Sequence, residues 1–125
     1  MVQTATDWQL EVDRGPDWLF IRLQPPEARY TEAPDLVERL WSLISAHFTY
    51  RIVLEVDDLK VLPSFLIGQL VMLQKRLHQH GGLLRLCGLS AACQQTLHTC
   101  RLDDNLRSYE TREHAVLGRR PMQPR

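Results

Sequence analysis

Residues 51–77, RIVLEVDDLKVLPSFLIGQLVMLQKRL, decide the fold of this chain. They open on a short β-branched and apolar run at residues 51–56, which is typical of a buried strand. After a loop, apolar residues recur at helical spacing from Ser64 onward, and we expect the Ser64 hydroxyl to cap this helix. Gly81 and Gly82 end the helix, and Leu83–Cys87 is a second buried strand. This strand, helix and strand predict a parallel pair joined by a right-handed crossover.

The chain before this segment predicts a hairpin and a helix. Residues 8–13 and 18–23 read as strands on either side of a turn at residues 14–17, which contains Gly and Pro. Residues 24–33 read as a loop. Pro34 suits the first turn of a helix, whose apolar residues then recur from Leu36 to Ile44.

The chain after this segment predicts a helix, an edge strand and a last helix. Ser90 begins the first of these helices, which runs to about residue 100. The edge strand covers residues 105–109, and the last helix is capped by Thr111 and closed by Gly118. The order predicts an α/β fold, a mostly parallel or mixed central sheet of about four to five strands with about four helices packed on it.

Length and charge narrow the class of protein. The chain has 125 residues, with 15 Lys and Arg against 15 Asp and Glu. One domain over residues 1–118 is therefore expected, followed by a disordered basic tail at residues 119–125. The balanced charge argues against a nucleic-acid partner, because such proteins usually carry a basic excess. No apolar run is long enough to span a membrane, and the polar N-terminal segment does not read as a signal peptide. With the unpaired spacing of the cysteines, this predicts a cytoplasmic protein.

From residue 51 onward the chain resembles the STAS domain family, which includes anti-sigma factor antagonists. The resemblance rests on the strand at residues 52–56, the turn at residues 63–66, Gly68 with the helix around it, and the stretch HGGLLRLCGLS at residues 80–90. Further on, residues 99–118 match a Leu-Asp element, an aromatic-containing strand and a closing helix. The resemblance implies a STAS-like fold and a regulatory role carried out through protein binding.

The turn before the second helix departs from the family pattern of an Asp, two hydroxyl residues and a Gly. In antagonist members, a kinase that is also the anti-sigma factor phosphorylates one of these hydroxyls. Here Pro63 stands at the Asp position, Ser64 keeps the first hydroxyl, Phe65 replaces the second and Leu66 replaces the Gly. Ser64 is therefore the candidate phosphate acceptor.

The resemblance implies a protein partner, an anti-sigma factor with a serine-kinase fold, which docks at residues 60–67. The candidate partner-binding residues are Lys60, Leu62, Pro63, Ser64, Phe65 and Ile67. Phe65 is either an exposed anchor for the partner or a side chain that folds back on the preceding loop. An alternative function is a scaffold or adaptor that needs no phosphorylation, which the substitutions at the turn favour.

The sequence gives little support for catalysis or metal binding. Asp57 and Asp58 read as a solvated pair at a strand end, with a role in positioning the acceptor loop as the alternative. Cys87, Cys93 and Cys100 lack the paired spacing of zinc sites, and core packing explains them, with Cys93 and Cys100 on one buried helix face. We therefore expect no metal, no cofactor and no catalytic residue, and an enzyme or small-ligand carrier on this fold is the least favoured function.

Overall fold

The computed structural model describes residues 8–26 and 35–118. Within them lie five strands and four helices, which alternate after an initial hairpin as the sequence predicts. The elements in chain order are β1 (Gln9–Arg14), β2 (Leu19–Gln24), α1 (Leu36–His47), β3 (Arg51–Glu55), α2 (Ser64–Gln79), β4 (Leu83–Cys87), α3 (Ala91–Thr99), β5 (Ser108–Tyr109) and α4 (Arg112–Leu117).

The strands form one mixed sheet in the order β1-β2-β3-β4-β5. β1 and β2 pair antiparallel, and the other three pairings are parallel. The hairpin turn is closed by a hydrogen bond of 2.8 Å from the Gly15 amide to the Trp18 carbonyl. The predicted fold class, a mixed and mostly parallel sheet carrying four helices, is confirmed.

Both faces of the sheet are covered. On one face, α1, α2 and α3 pack on residues such as Ile21, Leu54 and Leu86 to form the main core. On the other face, Ala115 of α4 packs on a smaller cluster that includes Phe20 and Val53. The central strands are apolar on both sides for this reason, as is usual for parallel sheets.

Three predicted boundaries need correction, and one predicted segment lies outside the described residues. β3 ends at Glu55 rather than at residue 56, and β5 is shorter than the predicted residues 105–109. Leu106 is buried in the main core, and its amide bonds at 2.8 Å to the Leu102 carbonyl, so this segment turns instead of extending. α1 begins at Leu36, with Asp35 as its N-cap in the left-handed conformation, and not at Pro34 as predicted. The basic tail at residues 119–125 falls outside the described part.

The predicted ends of α3 and α4 are confirmed. The Ser90 hydroxyl accepts from the Cys93 amide, and the Thr111 hydroxyl accepts from the His114 amide. Gly118 closes α4 in the left-handed conformation. None of the helices in the described ranges is long and apolar enough to cross a membrane.

Candidate functional site

Ser64 is the first residue of α2, and its side chain is exposed at the carboxyl edge of the sheet. The residue before it, Pro63, holds the N-cap position with an extended backbone, and no side chain caps the helix. The Pro63 carbonyl accepts from the amides of Leu66 and Ile67, each at 3.0 Å. The predicted capping role of Ser64 is therefore wrong, because its hydroxyl comes one residue too late in the chain.

The exposed face of α2 continues the surface around Ser64. Gly68 and Met72 follow at intervals of four residues, so they share the Ser64 face of the helix. Val61, in the loop before the helix, is 57% exposed, and Met72 is 59% exposed. We call the set Lys60, Val61, Ser64, Gly68 and Met72 the docking surface.

The structure divides the predicted partner-binding residues into accessible and buried ones. Lys60 and Ser64 are exposed, and Pro63 and Phe65 are half-buried. Leu62 and Ile67 are only 4% and 8% exposed, because both pack in the main core. Little of Leu62 and Ile67 is therefore accessible to a partner, and the partner contact of the whole set stays a prediction.

Of the two interpretations of Phe65, the contacts favour the side chain that folds back. Its ring is half-buried and packs against the main core. Val61, Gly68 and Met72, which the sequence interpretation did not propose as contact residues, are more exposed than Phe65. Their spacing from Ser64 along the helix is the sequence signal that identifies Gly68 and Met72.

The loop that leads to Ser64 is fixed at its start by Asp58. The Arg22 guanidinium on β2 donates two hydrogen bonds to the Asp58 carboxylate, at 3.0 and 3.1 Å. These bonds raise the pKa of Arg22 above its ordinary value. The predicted solvated pair is therefore corrected for Asp58, which forms an ion pair, while Asp57 is exposed.

The Asp57 side chain packs against the loop that follows β4. Gly88 has a positive φ of 82° there, and a Cβ at this position would collide with the Asp57 carboxyl group. Farther along the loop, Leu59 and Leu62 are buried in the main core. Residues 56–63, which we call the docking loop, are thus held by an ion pair, the close packing of Asp57 on Gly88 and two buried leucines.

A second arginine joins α4 to the same edge of the sheet. Arg112 donates to Glu55 at 2.8 and 3.2 Å and to Asp13 at 2.6 Å. Its guanidinium also lies 4.2 Å from the centre of the Phe20 ring. The bonds to Glu55 raise the pKa of Arg112 above its ordinary value, so this group stays charged.

Two of the three cysteines are buried, and the third, Cys100, is exposed. Burial raises the pKa of the Cys87 thiol to about 12, which keeps it protonated at neutral pH. Cys93 is buried, as predicted, but Cys100 is exposed because it lies past the last turn of α3. In residues 8–26 and 35–118, no group of three or more His, Cys, Asp or Glu side chains is arranged to hold a metal.

Solved structures share this fold. An anti-sigma factor antagonist from Mycobacterium paratuberculosis is 16% identical, with a TM-score of 0.73 over 94% of this chain and 97% of that chain. RsbS from Moorella thermoacetica, solved as a variant, is 15% identical, with a TM-score of 0.70 over 88% and 93% of the two chains. A chain of the stressosome, described as a signal integration and transduction hub, is 17% identical, with a TM-score of 0.69 over 86% and 94%.

The sequence itself identifies the family. No curated protein matches it. The family model of the STAS domain, however, matches residues 9–115, which cover the sheet and nearly all of the helices described above. The chain therefore belongs to the STAS domain family.

Proposed function

We propose that this chain is a regulatory, non-enzymatic protein of the cytoplasm that binds a protein partner through its docking surface, as an anti-sigma factor antagonist. One observation carries the proposal. An exposed serine at the start of a helix lies within a surface where Val61 and Met72 are more than half exposed. Exposed apolar side chains next to a polar group are typical of protein interfaces. The loop before the serine is rigidly held, so this surface is already ordered for binding.

The chemistry of Ser64 suits a phosphorylation switch. A phosphate there would lie near the positive end of the dipole of a 16-residue helix, which stabilises negative charge. It would also place about two negative charges within the docking surface, next to apolar contacts. We propose that the partner is an anti-sigma factor with a serine-kinase fold, and that phosphorylation of Ser64 releases it.

The switch is tested with two variants of the same residue. Ser64→Ala should bind the partner as the wild type does, and Ser64→Asp should bind at least about tenfold more weakly, because one charge enters the interface. The partner is isolated from host lysate on the immobilised wild-type chain, identified by mass spectrometry and titrated by calorimetry. Incubation with the partner and ATP should add one phosphate to the wild type and none to Ser64→Ala. Equal affinity of all three chains would contradict the switch.

Phe65 favours the second candidate function, a scaffold or adaptor that binds without phosphorylation. This residue replaces a hydroxyl of the family motif, and it packs against the main core. Ser64 is then only a neutral member of the docking surface. In this case Val61→Glu and Met72→Glu should each abolish binding, while no phosphate is found at Ser64 after incubation with ATP. A phosphate found at Ser64 would contradict the scaffold function.

A further inference from the structure

A groove lies at the pole of the molecule opposite Ser64, where α1 and α2 end. It has a volume of about 640 Å³ and is lined by residues 16–17, 48–51 and 80–82. Because α2 has 16 residues, the groove is about 24 Å along the helix axis from Ser64. It is therefore separate from the docking surface.

Phe48 is the most exposed large apolar residue in the described part of the chain. It follows α1, and its side chain is 84% exposed. Its backbone is left-handed, with φ 51° and ψ 32°, a conformation that costs free energy for any residue with a bulky side chain. The left-handed backbone ends α1, with the Phe48 amide bonded to the Ser45 carbonyl, and the ring that it leaves exposed is a candidate contact for a partner.

The neighbouring wall of the groove is aromatic and well supported. The Tyr50 and His80 rings stack with centroids 5.5 Å apart, and the Trp41 ring lies 4.7 Å from His80 and 5.8 Å from Tyr50, so the three rings form one cluster. The Arg76 guanidinium lies 4.4 Å from the centre of the Trp41 ring and donates to the Glu38 carboxylate at 2.9 Å. These contacts help to hold Trp41 in place. An aromatic ring is a favourable occupant for such a wall, through edge or offset stacking.

Two opposite charges lie in the same groove. Asp17 and Arg51 are both exposed, and neither forms an ion pair with any residue in the described ranges. A patch that carries both charges is complementary to itself. A two-fold axis that runs between the two side chains sets each acid opposite the partner's base, and by symmetry this contact occurs twice.

We propose that this groove is a homodimer interface, whose occupant is a second copy of this chain. Phe48 of each copy enters the groove of the other, and Asp17 faces the partner's Arg51. The nine described residues that line the groove are fewer than the roughly 20–30 per side of a standard interface. The dimer is therefore weak and in rapid exchange, and each copy keeps its own docking surface open.

Charge reversal tests the proposal on the full chain. Sedimentation equilibrium from about 1 μM to about 1 mM should show a reversible dimer. Asp17→Arg and Arg51→Asp should each weaken it about tenfold or more, because two attractive pairs become repulsive. An equimolar mixture of the two variants should restore association, since every contact then joins opposite charges again.

Phe48→Ser should abolish association without unfolding the chain, because this side chain is outside the core. Leu117→Ser, which removes another exposed apolar side chain, at 66% exposure, is the matched control and should associate as the wild type does. Thermal melts followed by circular dichroism confirm that each variant is folded. Ser64→Asp should leave the dimer unchanged, which separates this proposal from the phosphorylation switch.

Any one of three results would overturn the proposal. The first is a wild-type chain that stays monomeric at every concentration, in which case a peptide or a planar ligand becomes the better occupant of the groove. The second is a dimer that persists in Phe48→Ser. The third is an equimolar mixture of the two charge variants that fails to restore association.

Discussion

Gly68 occupies a position where nothing in the described part of the chain requires a glycine. A Cβ at this point of α2 would meet no atom of residues 8–26 or 35–118 within 4 Å, apart from the backbone of its own helix. Glycine inside a helix costs about 1 kcal/mol relative to alanine, so Gly68→Ala should stabilise the fold by up to about this amount. It should also weaken partner binding, because the docking surface would lose the close approach of the partner to the helix backbone.

Urea unfolding and calorimetric titration with the partner measure the two effects of Gly68→Ala. Gly82→Ala is the control, because a Cβ there would collide with the Tyr50 carbonyl and should destabilise the fold. Unchanged partner affinity in a stabilised Gly68→Ala chain would show that the partner does not approach the backbone at this helix position.

The three thiols should differ sharply in reactivity. Cys100 is exposed, while Cys87 and Cys93 are buried. Iodoacetamide on the folded chain at neutral pH should therefore modify Cys100 alone, with full modification only in denaturant. Intact mass and peptide mapping measure this, and Cys100→Ser is the control that should take up no label when folded. Rapid labelling of Cys87 in the folded chain would contradict the packing of the α4 face.

Burial of Cys87 also makes the free energy of unfolding depend on pH. The thiol of the unfolded chain ionises near its ordinary pKa of 9.0, whereas in the folded chain the pKa is raised to about 12. Between these values the unfolded state has lost a proton that the folded state keeps, so the free energy of unfolding should fall as pH rises. Cys87→Ala, compared with the wild type by urea unfolding, should show a smaller fall over this range.

At the scale of elements, the Arg22–Asp58 pair joins β2 to the docking loop. Both side chains are about one-third exposed, so breaking the pair should cost no more than about 1 kcal/mol of stability. Asp58→Asn should instead loosen the loop, with faster hydrogen exchange at residues 59–63 and weaker partner binding. Exchange followed by mass spectrometry measures this effect.

Glu38→Gln is the control for Asp58→Asn. It breaks the Arg76–Glu38 pair, which joins α1 to α2 away from the docking loop. Exchange in the loop should then remain as in the wild type. Slow exchange in Asp58→Asn would show that Leu59 and Leu62 hold the loop without the ion pair.

At the scale of the whole molecule, α2 spans the distance between two surfaces with different properties. Its first residue, Ser64, lies in the docking surface, and the turn after its last residue lines the groove beside Phe48. The main core of α1, α2 and α3 on one sheet face holds the two surfaces apart. Binding at one pole is therefore compatible with self-association at the other.

The sequence by itself determined the order of the elements, the buried strands and the position of Ser64 at the start of α2. These features follow from apolar periodicity and from residues that favour helix ends, which act over a few neighbours along the chain. It placed Phe65, Leu62 and Ile67 at the partner contact by proximity to Ser64. Only the tertiary structure decided that these side chains turn inward and that Arg22 forms an ion pair with Asp58. It alone also brings Phe48, Asp17 and Arg51 to the lining of one groove. These outcomes depend on contacts between residues far apart in the chain, and no local pattern encodes such distances.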